Sequence, residues 1–547
     1  MMRALAATPG GAHVTGLTVP ALSGNSWDLW THLTSEAELQ GVARVLQTRT
    51  VRDRLRFLKI AVGRDALMQH RAAEVLHGAL GGLSALQHLQ LDHPSAHLAN
   101  VVDQLSGLRT LEVRQGLWMH DRGFTAAEWS AFWVALERAT DLRSLTLSDW
   151  ADRDASAELR ALPARLEVLC MNCEHPLRWW DGINLRSLNL ERMGHFERWD
   201  RLAELLSRSR KLTRLRVGGI SDRPHIDPDA VLAVFSALEH SQVEDLSLAC
   251  SFEAEGAFRE ALGAAVASAV RNMPALQELH LSGPTTREAD PDGWLGFDRS
   301  AAVAALRDTA TLRTLRLDLC SSKIEPGLGA ALGGLVSRST SLAELHLHRF
   351  ECPAGSYSEL FQGLGENRTL QVLRCCSGGE APLDNGFVRR LMDALYGGGR
   401  HEGRQLHTLE IRSSRVRHAG VAHIAQVLED RPSVKLRRLT LEGVDVGLES
   451  IGFALQRNCA LVSLRVPVNE DRIYREVATL EEALVDNTTL RHLDIRELEG
   501  GSLYSTNVGK QLREVWHAQR FAMALREAIG GKPNRTPGEY FMRMMAR

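Results

Sequence analysis

Leu312-Arg313-Thr314-Leu315-Arg316-Leu317 and, one repeat further on, Leu342-Ala343-Glu344-Leu345-His346-Leu347 place apolar residues at the same three positions of a six-residue phrase. With Ile, Val, Met or Cys allowed at those positions, L-x-x-L-x-L begins at Leu55, Leu86, Leu108, Leu142, Leu166, Leu185, Leu212, Val243, Leu276, Leu312, Leu342, Leu370, Leu406, Leu436, Leu461 and Leu490. These are sixteen copies, and the 435 residues from first to last give a mean spacing of 29. A weaker copy, Val14-Thr15-Gly16-Leu17-Thr18-Val19, stands ahead of them. In an extended segment successive side chains point to opposite faces, so the fourth and sixth positions share one face. One such strand cannot bury its apolar side alone, but parallel stacking of many copies builds a continuous core. Sixteen strands at roughly 4.8 Å spacing would make a sheet on the order of 70–75 Å long.

Between the phrases the apolar period lengthens to that of a helix. Leu262, Val266, Val270 and Met273 form one stripe, and Leu328, Leu332, Leu335 and Val336 form another. Thr125-x-x-Glu128 and Ser35-x-x-Glu38 have the form of capping boxes at helix starts. Each repeat therefore reads as strand, loop, helix, loop.

Repeats of this length and order resemble the ribonuclease-inhibitor type of leucine-rich repeat, also used by plant and animal immune receptors. Asn367-Arg368-Thr369-Leu370-Gln371-Val372-Leu373 and Asn487-Thr488-Thr489-Leu490-Arg491-His492-Leu493 carry that family's helix-to-strand phrase. The resemblance spans roughly residues 50–500. It implies an α/β fold, a leucine-rich-repeat solenoid (horseshoe) with a parallel concave β-sheet and convex helices. The chain departs from the family at the ninth motif position, where only Cys320 and Asn469 supply the usual Cys or Asn, so most loops must satisfy their backbone otherwise. Residues 1–50 read as an N-terminal segment with a cap helix in Ser35–Arg49. Residues 51–498 read as the solenoid, and 499–547 as a cap helix (about Val508–Ile529) with a short basic tail. The intervals Leu86 to Leu108 and Leu166 to Leu185 are short for a strand plus a full helix, and predict irregular or 3₁₀ structure there. Gly/Pro/Asp-rich inserts such as Gly283-Pro284-Thr285-Thr286 read as loops.

Lys and Arg number 65 against 67 Asp and Glu, a net charge of −2, so no global field steers the chain to nucleic acid or to an anionic membrane. Eight cysteines lack the density and rhythm of a secreted disulfide scaffold, which points to reduced thiols and a cytoplasmic setting. No Sec-type leader is read at the N-terminus, and no stretch has the apolar length of a membrane span. P-loop, H-E-x-x-H and G-x-S-x-G patterns are missing, and neither a catalytic centre nor a cofactor is expected. Cys170-x-x-Cys173, followed by Glu174 and His175, has metal-like spacing but no second pair of ligands nearby, so it reads as ordinary thiols rather than a zinc site, and no metal is expected.

Two features bear on binding. Seven of eleven tryptophans lie between residues 118 and 199. They read either as filler for an irregular core or as an aromatic anchor, with Trp179 and Trp180 the best candidates, since neighbours in an extended segment cannot both point inward. The third, fifth and seventh motif positions project from the concave face. There Arg214, Arg216, His280, Arg316, His346, His348, Arg374 and Arg412 line up as a basic stripe, with Asp245, Glu278, Asp318, Glu344 and Glu410 interleaved. The stripe is either a self-compensated solvated face or a docking surface for a protein partner with an acidic surface.

The Ala/Leu/Arg-rich composition, a repeat type common in eukaryotes and few reducible disulfides resemble leucine-rich-repeat effectors that bacteria deliver into host cytoplasm through type III systems. That resemblance implies a non-catalytic protein-interaction scaffold acting on host proteins. The alternative is a substrate-recognition adaptor of a ubiquitin ligase. About 50 residues at each end are too few for a catalytic ligase domain but enough for a docking helix.

Overall fold

The sixteen phrases coincide with sixteen strands, and burial shows why. The computed structural model describes residues 27–33, 36–62, 77–92, 98–114, 126–148, 162–171, 184–190, 199–221, 227–252, 256–282, 299–318, 327–349, 357–377, 383–397, 405–431, 434–444, 447–468, 479–480, 482–484 and 487–497. These divide between two compact units. The first holds β1 (Trp27–Leu33), β2 (Leu55–Val62), β3 (His88–Asp92), β4 (Thr110–Arg114), β5 (Ser144–Ser148), β6 (Val168–Met171), β7 (Ser187–Leu190), β8 (Arg214–Ser221) and β9 (Asp245–Phe252). The second holds β10 (Glu278–Ser282), β11 (Thr314–Asp318), β12 (Glu344–His348), β13 (Val372–Cys376), β14 (Thr408–Arg412), β15 (Arg438–Glu442), β16 (Ser463–Val468) and β17 (His492–Glu497).

Within each unit neighbouring strands pair in chain order, and every pairing is parallel. In β11, Leu315 and Leu317 are fully buried while Arg316 between them is exposed. Burying each leucine contributes about 1.5–3 kcal/mol. The same apolar positions are buried at Leu345/Leu347, Leu409/Ile411 and Leu439/Leu441, although His346 and Thr440 between two of these pairs are buried as well. Each unit is a leucine-rich-repeat solenoid of the α/β class. β1 carries no copy of the phrase, yet Leu29 pairs with Leu58 and Thr31 with Ile60. A polar Thr31 in the motif's last apolar position hid this strand from the repeat pattern.

The helical stripes read from the sequence lie in the core. Leu262, Val266, Val270 and Met273 are at most 3 % exposed, as are Leu328, Leu332, Leu335 and Val336. The short interval after Leu86 corrects an expectation. It holds an α-helix, Leu98–Gln104, where irregular or 3₁₀ structure was anticipated. Leu98, Val101 and Val102 fall at i, i+3 and i+4 and are buried, so two turns already present a complete apolar face. The second short interval, both capping-box threonine and serine, and the C-terminal helical run lie outside the described residues. A helix, Glu36–Leu46, lies in the segment expected to hold the N-terminal cap helix, but it follows β1 and precedes β2 in the sheet rather than ending the stack.

The turns from helix to strand are closed by backbone carbonyls or by side chains, as where Ser339 Oγ accepts from the Leu342 N–H (3.0 Å). In the first unit the N–H of the motif's first residue donates to the carbonyl three residues back: Leu86 to Leu83, Leu108 to Leu105, Leu142 to Ala139 and Leu166 to Pro163, at 2.9–3.0 Å. In three later repeats that slot is asparagine. Asn458 Oδ1 accepts from the N–H groups of Ala460 (3.0 Å) and Leu461 (2.8 Å), while its Nδ2 donates to the Leu428 carbonyl of the preceding repeat. Asn367 and Asn487 repeat the arrangement, reaching Val336 and Leu455. These side chains satisfy backbone groups that burial would otherwise strand. Cys320 and Asn469, the two matches to the family's ninth position, lie outside the described residues. A further inter-repeat device caps a helix: Asn385 Oδ1 accepts from the N–H groups of Arg417 and Gly420 at the start of His418–Asp430.

Candidate interaction surface

Strand alternation that buries leucines leaves the residues between them on the opposite face. In the second unit the register sets three rows. The middle row runs His280, Arg316, His346, Arg374, Glu410, Thr440, Arg465 and Asp494 from β10 to β17. One flanking row contains Asp318, His348, Cys376, Arg412 and Glu442; the other contains Glu344, Val372, Thr408, Arg438, Ser463 and His492. Six of the eight residues of the anticipated stripe therefore lie on this face. The other two, Arg214 and Arg216, belong to the first unit, on β8.

Charges on the face are mostly paired. Arg374 Nε stands 3.5 Å from Glu410, Arg412 bridges Glu410 (3.5 Å) and Glu442 (2.6 Å), and Arg465 bridges Glu442 (3.2 Å) and Asp494 (2.8 Å). Cations and anions thus alternate from β13 to β17. Such half-exposed pairs contribute about 0–1 kcal/mol each, so their main effect is to hold guanidinium groups in register. In the first unit Arg214 and Arg216 share one carboxylate, Asp245, at 2.8 and 3.8 Å. Arg316 and Arg438 differ: both are exposed, and neither has an ion-pair partner among the described residues.

Not every basic residue type on the face is a cation. His346 is 3 % exposed, with Nε2 3.1 Å from Glu344 Oε2. Burial, with Arg374 and Arg316 beside it, pushes its pKa down to about 3, so the ring is neutral at physiological pH. His348 is also lowered by burial, with Asp318 opposing. The Cys376 thiol on the same face is pushed up to about 11 by burial and Glu410, which leaves essentially no thiolate at neutral pH.

An open concavity of about 730 Å³ lies over β13–β17. Among the described residues five arginines line it (Arg374, Arg412, Arg438, Arg465 and Arg491) against two carboxylates, Glu410 and Asp494. Arg438, Arg465, Arg491 and His492 were missed when the face was read only through the central repeats. Arg438, Arg465 and His492 occupy the same third and fifth motif positions, so the motif extended to its last copies finds them. Trp179 and Trp180 lie outside the described residues, as do Cys173, Glu174 and His175. Cys170 is half-buried in the middle of β6, in register with Thr146 and Asn189. Among the described residues no cluster of three His, Cys, Asp or Glu is placed to hold a metal ion. Among the same residues no helix is long and apolar enough to cross a membrane.

No protein-family model and no curated protein matches the chain. Among solved structures, the crystal structure of the TLR13–ssRNA13 complex matches 83% of this chain and 55% of its own, at 14% identity and a TM-score of 0.35. The chain spans about half the length of that solved chain.

Proposed function

We propose that the chain is a non-catalytic interaction scaffold that binds an acidic surface of a partner protein on the exposed strand face of its second unit. The observation that carries this reading is the state of Arg316 and Arg438, exposed and unneutralised on a face whose other arginines are held by carboxylates. Leaving a cation unpaired costs little while water solvates it and creates a hot-spot contact when a partner carboxylate arrives. Among the described residues the lining of the concavity holds no Phe, Tyr or Trp to stack bases, and Glu410 and Asp494 would oppose a phosphate backbone. Both features favour a polypeptide over nucleic acid.

The test is affinity capture from host-cell and bacterial lysates with the wild-type chain and with Arg316→Glu/Arg438→Glu. Arg374 is unsuitable for reversal because a glutamate there would face Glu410. A protein retained by the wild type and lost from the folded variant supports the reading; equal retention contradicts it. The repeat-type resemblance carries two cellular roles for such a scaffold, an effector engaging host proteins and a ligase adaptor. Ligase subunits among the captured proteins would favour the adaptor.

A further inference from the structure

A second concavity, about 800 Å³, opens where chains enter the last strands of the second unit. It is built from the residues just before and just after the first apolar position of the motif. The residues just after it, His407, Arg437, Val462 and Arg491, are stacked by backbone bonds. The Arg437 N–H donates to the His407 carbonyl (2.9 Å), that of Val462 to Arg437 (2.8 Å), and that of Arg491 to Val462 (2.8 Å). Their order makes the shape. Small residues of one repeat, Cys459, Ala460 and Val462, form the floor, with Lys435 and Arg437 on one side and Arg491 on the other. The two cationic walls are two strand steps apart, roughly 9–10 Å.

The charge balance differs from that of the strand face. Among the described residues no carboxylate lines this cleft. Lys435 and Arg437 are exposed, and neither has an ion-pair partner among the described residues. The Thr488 hydroxyl adds a neutral donor at the rim. Cations on both walls, a small-residue floor and the exposed Lys435 and Arg437 suit a compact multivalent anion, which gains charge-assisted hydrogen bonds from Arg and Lys together.

We infer that this cleft, which shares only Arg491 with the lining of the strand-face concavity, is a second binding site for a ligand of the phosphate class: inorganic phosphate or pyrophosphate, or the phosphate ester of a small molecule. Cys459, exposed on its floor, provides the reporter. Alkylation of the folded full chain by N-ethylmaleimide is followed at the Cys459 peptide by mass spectrometry. Added pyrophosphate should slow it saturably, by about tenfold at ten times the dissociation constant, while chloride at matched ionic strength should not. Glycerol phosphate in place of pyrophosphate distinguishes an ester from the free anion. Lys435→Gln/Arg437→Gln should abolish the protection. These side chains do not line the strand-face concavity, so acidic-partner binding should survive in that variant, and each site can fail alone. Failure of pyrophosphate and glycerol phosphate alike to protect, protection equal to that of chloride, protection by succinate but not by phosphates, or protection unchanged in the variant would each overturn the proposal.

Discussion

Asn458 is 3 % exposed and uses both ends of its amide on the turn it closes. Asn458→Ala strands the Leu428 carbonyl and the N–H groups of Ala460 and Leu461, and should cost about 2–3 kcal/mol in urea unfolding. A loss under about 0.5 kcal/mol, the scale of an ordinary surface change, would show that the turn closes without it. His346 gives a pH prediction. Its native pKa lies below that of the unfolded chain, so the unfolded state binds the extra proton. The contribution of His346 is therefore complete above pH 6.5 and is lost as pH falls from there toward 3. Its ring resonances should not titrate between pH 5 and 8, and His346→Gln should flatten the acid limb of the stability profile. A midpoint near 6.5 would contradict the burial argument. At this scale the sequence was only partly legible. Asn367 and Asn487 stood in recognisable phrases, but their work was hidden because each one's acceptor carbonyl lies 31 or 32 residues away. His346 read as one more basic residue because nothing local to it announces burial.

The helices Leu328–Arg338 and Ser358–Glu366 meet backbone to backbone. A Cβ on Gly363 would collide with the Gly333 backbone, and one on Gly333 with the Glu359 carbonyl. Helix propensity alone favours alanine over glycine by about 1 kcal/mol. Gly363→Ala should nonetheless destabilise by about 1–3 kcal/mol, because the helices must move apart. A raised melting temperature would refute this close approach. Strands were the legible elements, since a two-residue period with leucine at fixed offsets has few other solutions. The Leu98–Gln104 helix was not, because interval length was taken as the limit when the real requirement was one buried stripe.

Across the whole molecule, near-neutral composition conceals two unlike strand faces. The first unit presents small uncharged residues along β5–β7, among them Ser144, Thr146, Ser187 and Asn189, and the Arg/acid pairs of that face, Arg114–Glu112 and Arg214–Asp245, stand on the strands on either side. The second presents the alternating Arg/acid series and the two unneutralised arginines. The identities of these residues follow from motif position alone. Their pairing does not: Arg374 and Glu410, or Arg412 and Glu442, lie in different repeats and meet only once register is set. Binding of an acidic partner to the second face should weaken steeply with salt, since the exposed charges are screened over about 8–10 Å at 0.1–0.15 M ionic strength. The most direct measurement is fluorescence-anisotropy titration of a labelled glutamate-rich peptide with the folded full chain. Arg316→Glu/Arg438→Glu is the test variant, and Arg389→Glu, exposed on the helix Asn385–Tyr396, is the control. The account predicts binding at least about tenfold weaker (about 1.4 kcal/mol) for the strand-face variant and unchanged for the helix variant; equal affinities for all three would contradict it.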